Sequence, residues 1–279
     1  MAVQNSLTQK KTKLSVYLTQ DAVKEQINKV IGGKDGQRFI SAIVSATNTN
    51  SALQECTNQS ILSGALLGES LKLSPSPQLG HYYLVPFNDK EKGKVAQFQL
   101  GYKGYIQLAI RSGQYKKINV LAIKEGELEY FDPLNEEIKI NLLVEKWDER
   151  EASETIGYYA MFELNNGFRK AMYWSKKQME AHALKYSPGY KAKKGYTFWE
   201  KNFDGMAYKT MLRQLISKWG IMSIELQSAF ENDMTFTDEN GKVNFVEAEE
   251  ADVIDTVIVQ EEKTESSDKD DVENALFGG

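Results

Sequence analysis

The charge of this chain is distributed so unevenly that only part of it is expected to form a compact fold. Residues 221–279 contain 3 Lys and Arg against 17 Asp and Glu, a net charge of −14. Beyond about Asp233 this stretch has neither helical nor strand periodicity. Residues 234–279 are therefore predicted to be a disordered acidic tail, and the fold is expected in the residues before it.

The rest of the chain has the opposite charge, and its basic excess is confined to one segment. Residues 1–164 contain 19 basic and 19 acidic residues, whereas residues 165–220 contain 12 and 3. Such a local excess of Lys and Arg is typical of a surface that binds phosphate groups. The overall net charge of −5 conceals this basic segment.

Composition and motifs exclude several other classes of protein. The chain has 279 residues, 41% of them apolar, which is sufficient for a buried core in one or two domains. Its one cysteine, Cys56, excludes an internal disulfide, and with only His81 and His182 it forms no recognisable zinc motif. No apolar run reaches the roughly 18 residues of a membrane span, so a cytoplasmic protein without membrane contact is expected. The phosphate-cradling motif GxxxxGK followed by Ser or Thr is missing, and no catalytic set of residues stands out, so we expect no ATP hydrolysis, cofactor or enzyme activity.

Hydrophobic periodicity and turn signals predict an α+β fold in which a β-hairpin and an antiparallel sheet pack on helices. The predicted organisation is a flexible N-terminal arm over residues 1–18, a core over residues 19–233 and the acidic tail. Asn165-Asn166-Gly167 is a strong hairpin signal, and Ser175 is a predicted helix cap. The predicted helices cover about residues 21–30, 37–46, 58–71, 103–112, 176–186 and 205–219, and the predicted strands about residues 81–87, 95–102, 118–124, 127–131, 138–142, 156–164 and 168–174.

The string FQLGYKGYIQLAIRSGQYKK, residues 98–117, interleaves tyrosines with cations. Tyrosine rings can stack on bases while Lys and Arg displace counterions from phosphates, which allows nucleic-acid binding with little sequence dependence. In the predicted helix, Lys103, Gln107 and Arg111 recur every four residues as one polar stripe on an otherwise apolar surface. Since cations are rarely buried without a partner, Lys103 and Arg111 are the strongest phosphate-binding candidates here. The alternative is a set of core tyrosines and solvated lysines.

A second candidate region is the string SPGYKAKKGYTFW, residues 187–199. It is too rich in Gly, Pro and Lys for regular structure and predicts a loop. Its lysines supply positive charge and its aromatic residues stand close enough to stack on exposed bases. A solvated linker is the alternative interpretation.

The predicted helix over residues 205–219 is the third candidate region. Its apolar residues form one stripe, which is expected to anchor it in the core. Lys209 and Arg213 share one flank of that stripe and Lys218 lies on the other. A helix held in this way could present these cations beside a groove.

Three strings together resemble the RecT family: LGHYYLVPF at residues 79–87, AQFQLGYKGYIQLAIRSGQY at residues 96–115 and LRQLISKWGIMS at residues 212–223. That family consists of phage and prophage proteins that anneal complementary single strands of DNA without ATP during recombination. The resemblance implies subunits assembled into rings or helical filaments, in a bacterial host, with single-stranded DNA and an annealed duplex intermediate in a basic groove. It also implies two protein partners, a phage exonuclease and the host single-strand binding protein.

The site prediction combines the residue patterns with this resemblance. The predicted nucleic-acid-binding residues are Tyr102, Lys103, Arg111, Lys116, Lys117, Lys191, Lys193, Lys194, Tyr196, Trp199, Lys209, Arg213 and Lys218. One alternative is a passive protein that binds single-stranded DNA or RNA without annealing. Another is a metal-dependent nuclease, since Asp132, Glu137 and Lys139 weakly resemble a magnesium site.

Overall fold

A computed structural model describes residues 12–32, 35–48, 50–89, 92–195, 197–238, 240 and 242–245 of the chain. The predicted α+β class is confirmed, with antiparallel sheets packed on helices. Among the described helices, none has the length and apolar character needed to cross a bilayer. The helices are α1 (Leu14–Tyr17), α2 (Asp21–Ile31), α3 (Gly36–Asn48), α4 (Asn58–Ser70), α5 (Tyr102–Arg111), α6 (Trp147–Ala152), α7 (Lys176–Tyr186), α8 (Pro188–Lys191), α9 (Phe198–Lys201), α10 (Phe203–Trp219) and α11 (Ile224–Asn232). The strands are β1 (Tyr82–Asp89), β2 (Gly93–Leu100), β3 (Tyr115–Lys124), β4 (Leu128–Asp132), β5 (Glu137–Ile140), β6 (Thr155–Leu164), β7 (Arg169–Ser175), β8 (Thr235–Thr237) and β9 (Val243–Phe245).

The first sheet is the predicted hairpin of β1 and β2, extended by two short strands in the order β1-β2-β8-β9. All its pairings are antiparallel, and β1 pairs with β2 along its whole length without a register shift. Helix α4 packs against this hairpin through Gly68. A Cβ atom on Gly68 would lie 2.3 Å from the Tyr82 ring, so this close approach requires glycine.

The second sheet has β6 in its centre, in the order β3-β6-β7. Gly167 in the turn between β6 and β7 has a φ of +87°, a left-handed value that favours glycine. Side chains alternate between the faces of β6: Tyr158 and Phe162 belong to the main core with α10, whereas Tyr159 and Met161 pack with the β4–β5 hairpin. The sheet is therefore covered by α10 on one face and by β4–β5 on the other.

The main core joins the two sheets through α5 and α10. Tyr105 and Leu108 of α5 are fully buried together with Met211 and Leu215 of α10. Their spacing of three and four residues is the helical period that the sequence predicts for both helices. Ser175 immediately precedes helix α7, and its side chain and that of Gln178 form a capping box. This confirms the predicted cap.

A second core lies among the N-terminal helices α2, α3 and α4. Leu18 is completely buried in it, together with Ile27 and Ile43. The predicted flexible arm is therefore wrong at its C-terminal end, because the apolar side chain of Leu18 packs in this core and Leu14–Tyr17 forms a helix. The earlier part of that arm, residues 1–11, lies outside the described residues.

Asp233 is the buried junction between α5, α10 and the first sheet. Its carboxylate accepts hydrogen bonds from the backbone N–H of Leu100 at 2.8 Å and from the Tyr105 hydroxyl at 3.1 Å. It also forms ion pairs with Lys209 Nζ at 3.0 Å and with Arg213 Nη1 at 3.1 Å. Burial and the neighbouring Asp233 raise the pKa of Tyr105, so its hydroxyl stays a donor.

The strand that follows Asp233 corrects the predicted start of the acidic tail. Thr235 pairs with Phe98 of β2, and Met234 N–H donates to the Phe98 carbonyl at 2.8 Å. The segment is ordered because it completes the sheet edge of β2 and because Asp233 holds it there, although it lacks periodicity of its own. The predicted tail from residue 246 onward lies outside the described residues.

Replacing Asp233 with Asn tests this junction. We expect the free energy of unfolding to fall by about 3–5 kcal/mol, because Lys209 and Arg213 stay buried without their counter-charge. Urea unfolding followed by circular dichroism measures this change. Asp148→Asn, a substitution of an exposed acid, should change stability by less than about 0.5 kcal/mol. Equal stability of the two variants would contradict the assigned role of Asp233.

Candidate nucleic-acid interface

The polar stripe of α5 borders the segment that connects α4 to β1, residues 71–81. At the C-terminal end of α5, Arg111 donates hydrogen bonds to the carbonyls of Leu71 at 2.6 Å and Lys72 at 3.2 Å. These carbonyls lie at the end of α4, so Arg111 caps that helix with its guanidinium. At the N-terminal end of α5, Lys103 is exposed and its aliphatic stem lies beside Gly80. In the predicted stripe, Arg111 is therefore bound to backbone carbonyls, whereas Lys103 is exposed and can bind a ligand.

Two glycines allow the N-terminal end of α5 to approach this connecting segment closely. Gly101 N–H donates to the His81 carbonyl at 2.9 Å. A Cβ atom on Gly101 would lie 2.2 Å from the Gly80 carbonyl oxygen, and one on Gly104 would lie 2.1 Å from the His81 carbonyl oxygen. The positions of Lys103 and His81 are therefore fixed relative to each other by backbone contact.

A pair of aromatic rings lies near this end of α5, and one of them is close to Gly80 and Lys103. The Tyr83 ring on β1 lies 5.8 Å from the Phe198 ring on α9, and Phe198 is 38% exposed. The Tyr83 hydroxyl lies close to Gly80, and burial followed by nearby Tyr102 raises the pKa of Tyr83. This contact brings together two distant parts of the sequence, because Tyr83 belongs to the string at residues 79–87 and Phe198 to the lysine-rich string at residues 187–199.

The lysine-rich string is a closed turn rather than the predicted irregular loop. Lys193 N–H donates to the Tyr190 carbonyl at 3.0 Å and Lys194 N–H to the Gly189 carbonyl at 3.2 Å. Glu200 fixes the end of the turn by accepting from the Gly195 backbone N–H at 2.8 Å. The Lys side chains at 191, 193 and 194 are exposed, and within the described part of the chain none of them has an ion-pair partner. Predicted Tyr196 lies outside the described residues.

The structure contradicts the phosphate-binding role predicted for Lys209 and Arg213. Lys209 is only 8% exposed, and both side chains pair with buried Asp233. Arg213 also donates to the Tyr105 hydroxyl at 3.1 Å. A cation committed to a buried carboxylate cannot release counterions from DNA without breaking that pair, so these two residues serve the fold.

The predicted stacking role of Trp199 is corrected as well. Trp199 is 7% exposed and packs on Phe203 at 5.1 Å between ring centres, so its faces are not open to a base. Tyr102 is half-buried and its ring meets Tyr208 edge-on at 5.4 Å. Tyr102 also lies near Tyr83, so its role in binding stays a prediction. The sequence prediction missed the Tyr83–Phe198 pair.

The remaining predicted cations lie at the other end of α5 and α10. Lys116 and Lys117, at the start of β3, are exposed and form ion pairs with Glu163 at 2.5 and 3.6 Å. Lys218 is exposed near the C-terminal end of α10. Lys103 lies near Tyr83 at Gly80, and the three lysines of the closed turn precede Phe198 along the chain. We call this group the cationic aromatic surface.

The described residues give no support to the magnesium alternative. They contain no group of three or more His, Cys, Asp or Glu side chains that could hold a metal ion. Asp132 instead closes the β4–β5 turn, since its carboxylate accepts from the Leu134 N–H at 2.8 Å and from Asn135 Nδ2 at 2.7 Å. Lys139 pairs with Glu129 at 2.5 Å across the same hairpin.

An α+β core that exposes unpaired cations beside half-exposed aromatic rings has the features of a nucleic-acid-binding protein. Residues 37–271 match the RecT family. The chain is 40% identical over 250 residues to "Uncharacterized protein YqaK" of Bacillus subtilis (strain 168), covering 89% of this chain and 81% of that protein. It is 29% identical over 222 residues to "Protein RecT" of Escherichia coli (strain K12), covering 78% of each. The chain therefore belongs to the RecT family, as its strings indicate, and this membership supports a role in single-strand annealing and DNA recombination.

Replacing Gly104 with Ala tests the contact that positions this surface. Alanine is favoured over glycine inside a helix by about 1 kcal/mol, yet we expect Gly104→Ala to destabilise the fold by about 1–3 kcal/mol, because its methyl group would overlap the His81 carbonyl. Urea unfolding measures the change. Gln107→Ala, at an exposed position of the same helix, should have an effect within about 0.5 kcal/mol. A stabilised Gly104→Ala variant would disprove the close contact.

Proposed function

We propose that this protein binds single-stranded DNA through the cationic aromatic surface and anneals complementary strands without ATP. The proposal rests on the contact of Tyr83 with Phe198, which brings α9, at the end of the lysine-bearing turn, to the strand residue that lies close to Gly80 and Lys103. Family membership supports the annealing role.

The chemistry of this surface fits a single strand better than a duplex. Phosphates attract the ammonium groups of Lys103 and of the turn, and each contact releases counterions. Phe198 and Tyr83 expose ring edges and faces on which unpaired bases can stack, whereas bases in a duplex are already stacked on each other. Neither type of contact reads base identity, so binding with little sequence preference is expected.

Annealing by this route requires no hydrolysis, because base pairing supplies the free energy. The protein reduces repulsion between phosphates and holds the first strand mainly by its backbone. Assembly into a homo-oligomeric ring or helical filament would align many such surfaces along one strand. A phage exonuclease that generates the single strands and the host single-strand binding protein are the partners that this role implies.

The rate of pairing of two complementary dye-labelled oligonucleotides tests this function. We expect the protein to accelerate pairing in the absence of ATP, with the effect declining as salt increases, because phosphate contacts weaken. Tight binding without acceleration would support a passive single-strand binding protein instead. Cleavage of the oligonucleotides on addition of Mg²⁺ would support the nuclease, and equal affinity for a matched RNA would widen the ligand class.

Substitutions at Lys103 and Phe198 test the location of the site. Lys103→Gln should make the negative slope of log affinity against log salt shallower by about 0.7, the value for one phosphate contact of a single strand. Phe198→Ala should weaken binding by about 1–3 kcal/mol, the range measured for one stacked base. Fluorescence anisotropy with a labelled oligothymidine measures both effects.

Matched controls lie on other parts of the molecule. Lys139 is exposed on the β4–β5 hairpin, and Phe168 is 43% exposed at the turn between β6 and β7. Lys139→Gln and Phe168→Ala should leave affinity and salt dependence unchanged. If the controls weaken binding as much as Lys103→Gln and Phe198→Ala, the proposed location of the site is wrong.

A further inference from the structure

His81 lies at the centre of the contacts that fix the N-terminal end of α5, yet neither the residue patterns nor the family match assigns it a function. It ends the segment that connects α4 to β1, and its carbonyl accepts from Gly101 N–H at 2.9 Å. Its imidazole Nδ1 accepts a hydrogen bond from the Ser74 backbone N–H at 3.3 Å. The neutral ring therefore carries its proton on Nε2.

The Nε2 atom of His81 is available to a ligand. The residue is half-buried, and in the described part of the chain Nε2 has no hydrogen-bond partner. Two residues further along the chain, Tyr83 contributes its ring to the cationic aromatic surface. Because backbone contacts hold Gly80 and His81 against α5, the imidazole belongs to the same rigid unit as Lys103.

The charges around His81 come from several elements. Burial lowers the pKa of His81 below its ordinary value, and the positive charges of Arg111 and Lys103 on α5 lower it further. The pKa of Glu225 on α11 is lowered first by hydrogen bonds from its own backbone N–H and from the Ser223 hydroxyl. The positive charges of Arg111 and Lys72 lower it further. Burial raises the pKa of Tyr82 on β1, and the negative charge of Glu69 on α4 raises it further. His81 thus lies in a positive environment that disfavours its charged form and favours an anion beside it.

We propose that His81 is a phosphate-contacting residue of the DNA-binding surface, and that it takes up a proton when single-stranded DNA binds. A phosphate beside Nε2 would accept its hydrogen bond and would offset the positive charges of Lys103 and Arg111. The inference rests on the proposed function, since it assigns one further contact to the same surface.

The direction of the pH effect follows from this linkage. In the free protein His81 is neutral at neutral pH, because its pKa lies below the usual value. A bound phosphate favours the imidazolium, so the pKa in the complex is higher than in the free protein. Between those two values binding takes up a proton, and affinity increases as the pH falls, by at most about tenfold per pH unit for one group.

The affinity for labelled oligothymidine, measured from about pH 8 to about pH 6 at constant salt, tests the proposal. We expect the wild-type affinity to increase about three- to tenfold over this range. His81→Gln removes the titratable ring and should bind with almost no pH dependence. His182→Gln is the matched control, because the chain has only 2 histidines, and it should retain the wild-type pH dependence. Equal pH dependence of wild type and His81→Gln would overturn the proposal.

A second measurement uses the wild-type protein alone, in case a variant fails to fold. Binding heats at about pH 6.5, in buffers with different ionisation enthalpies, report the number of protons taken up on binding. A fraction of one proton per bound site supports the proposal, and no uptake overturns it. Failure of the proposed function would look different, since oligothymidine would then not bind at any pH.

Discussion

The buried carboxylate of Asp233 is the interaction on which the arrangement of this protein depends. It follows α11 directly and joins α5 through Tyr105, α10 through Lys209 and Arg213, and β2 through the backbone of Leu100. Two cations and one anion in an apolar environment cannot be rearranged without leaving a charge unpaired. This junction fixes α5 relative to both sheets, and thereby fixes the surface at the N-terminal end of α5.

Two groups of cations among the described residues have different roles. Those of one group each have a protein partner: Lys209 and Arg213 pair with Asp233, and Arg111 holds the carbonyls at the end of α4. Those of the other group are exposed: Lys103 lies near Tyr83 at Gly80, and the lysines of the closed turn precede Phe198. The second group has charge available to exchange counterions for phosphates. The basic excess of the sequence thus serves both the fold and the proposed site.

Most of the fold could be predicted from sequence, because its signals are local. The period of α5, the turn Asn165-Asn166-Gly167 and the cap at Ser175 each depend on residues within a few positions of one another. The short strand β8 could not be predicted in this way. It is held by its pairing with β2 and by Asp233, both contacts between residues far apart in sequence.

The site was harder to predict, for two physical reasons. Whether a cation is paired depends on distant residues, and no local pattern places Asp233 beside Lys209. The sequence also does not show which of two adjacent aromatic side chains faces solvent. Trp199 was the predicted stacking residue, but Trp199 is buried and its neighbour Phe198 is exposed. Strand alternation could have found Tyr83, since Tyr82 and Tyr83 must face opposite sides of β1 and Tyr82 is the buried one.

The central claim is that DNA contacts the surface formed by β1, the start of α5 and the turn before α9. Ultraviolet cross-linking of an oligonucleotide containing 4-thiothymidine, followed by mass spectrometry of the peptides, tests it most directly. We expect adducts on peptides that contain Tyr83, Lys103 or Phe198. Adducts confined to the β4–β5 hairpin or to the N-terminal helices would contradict it.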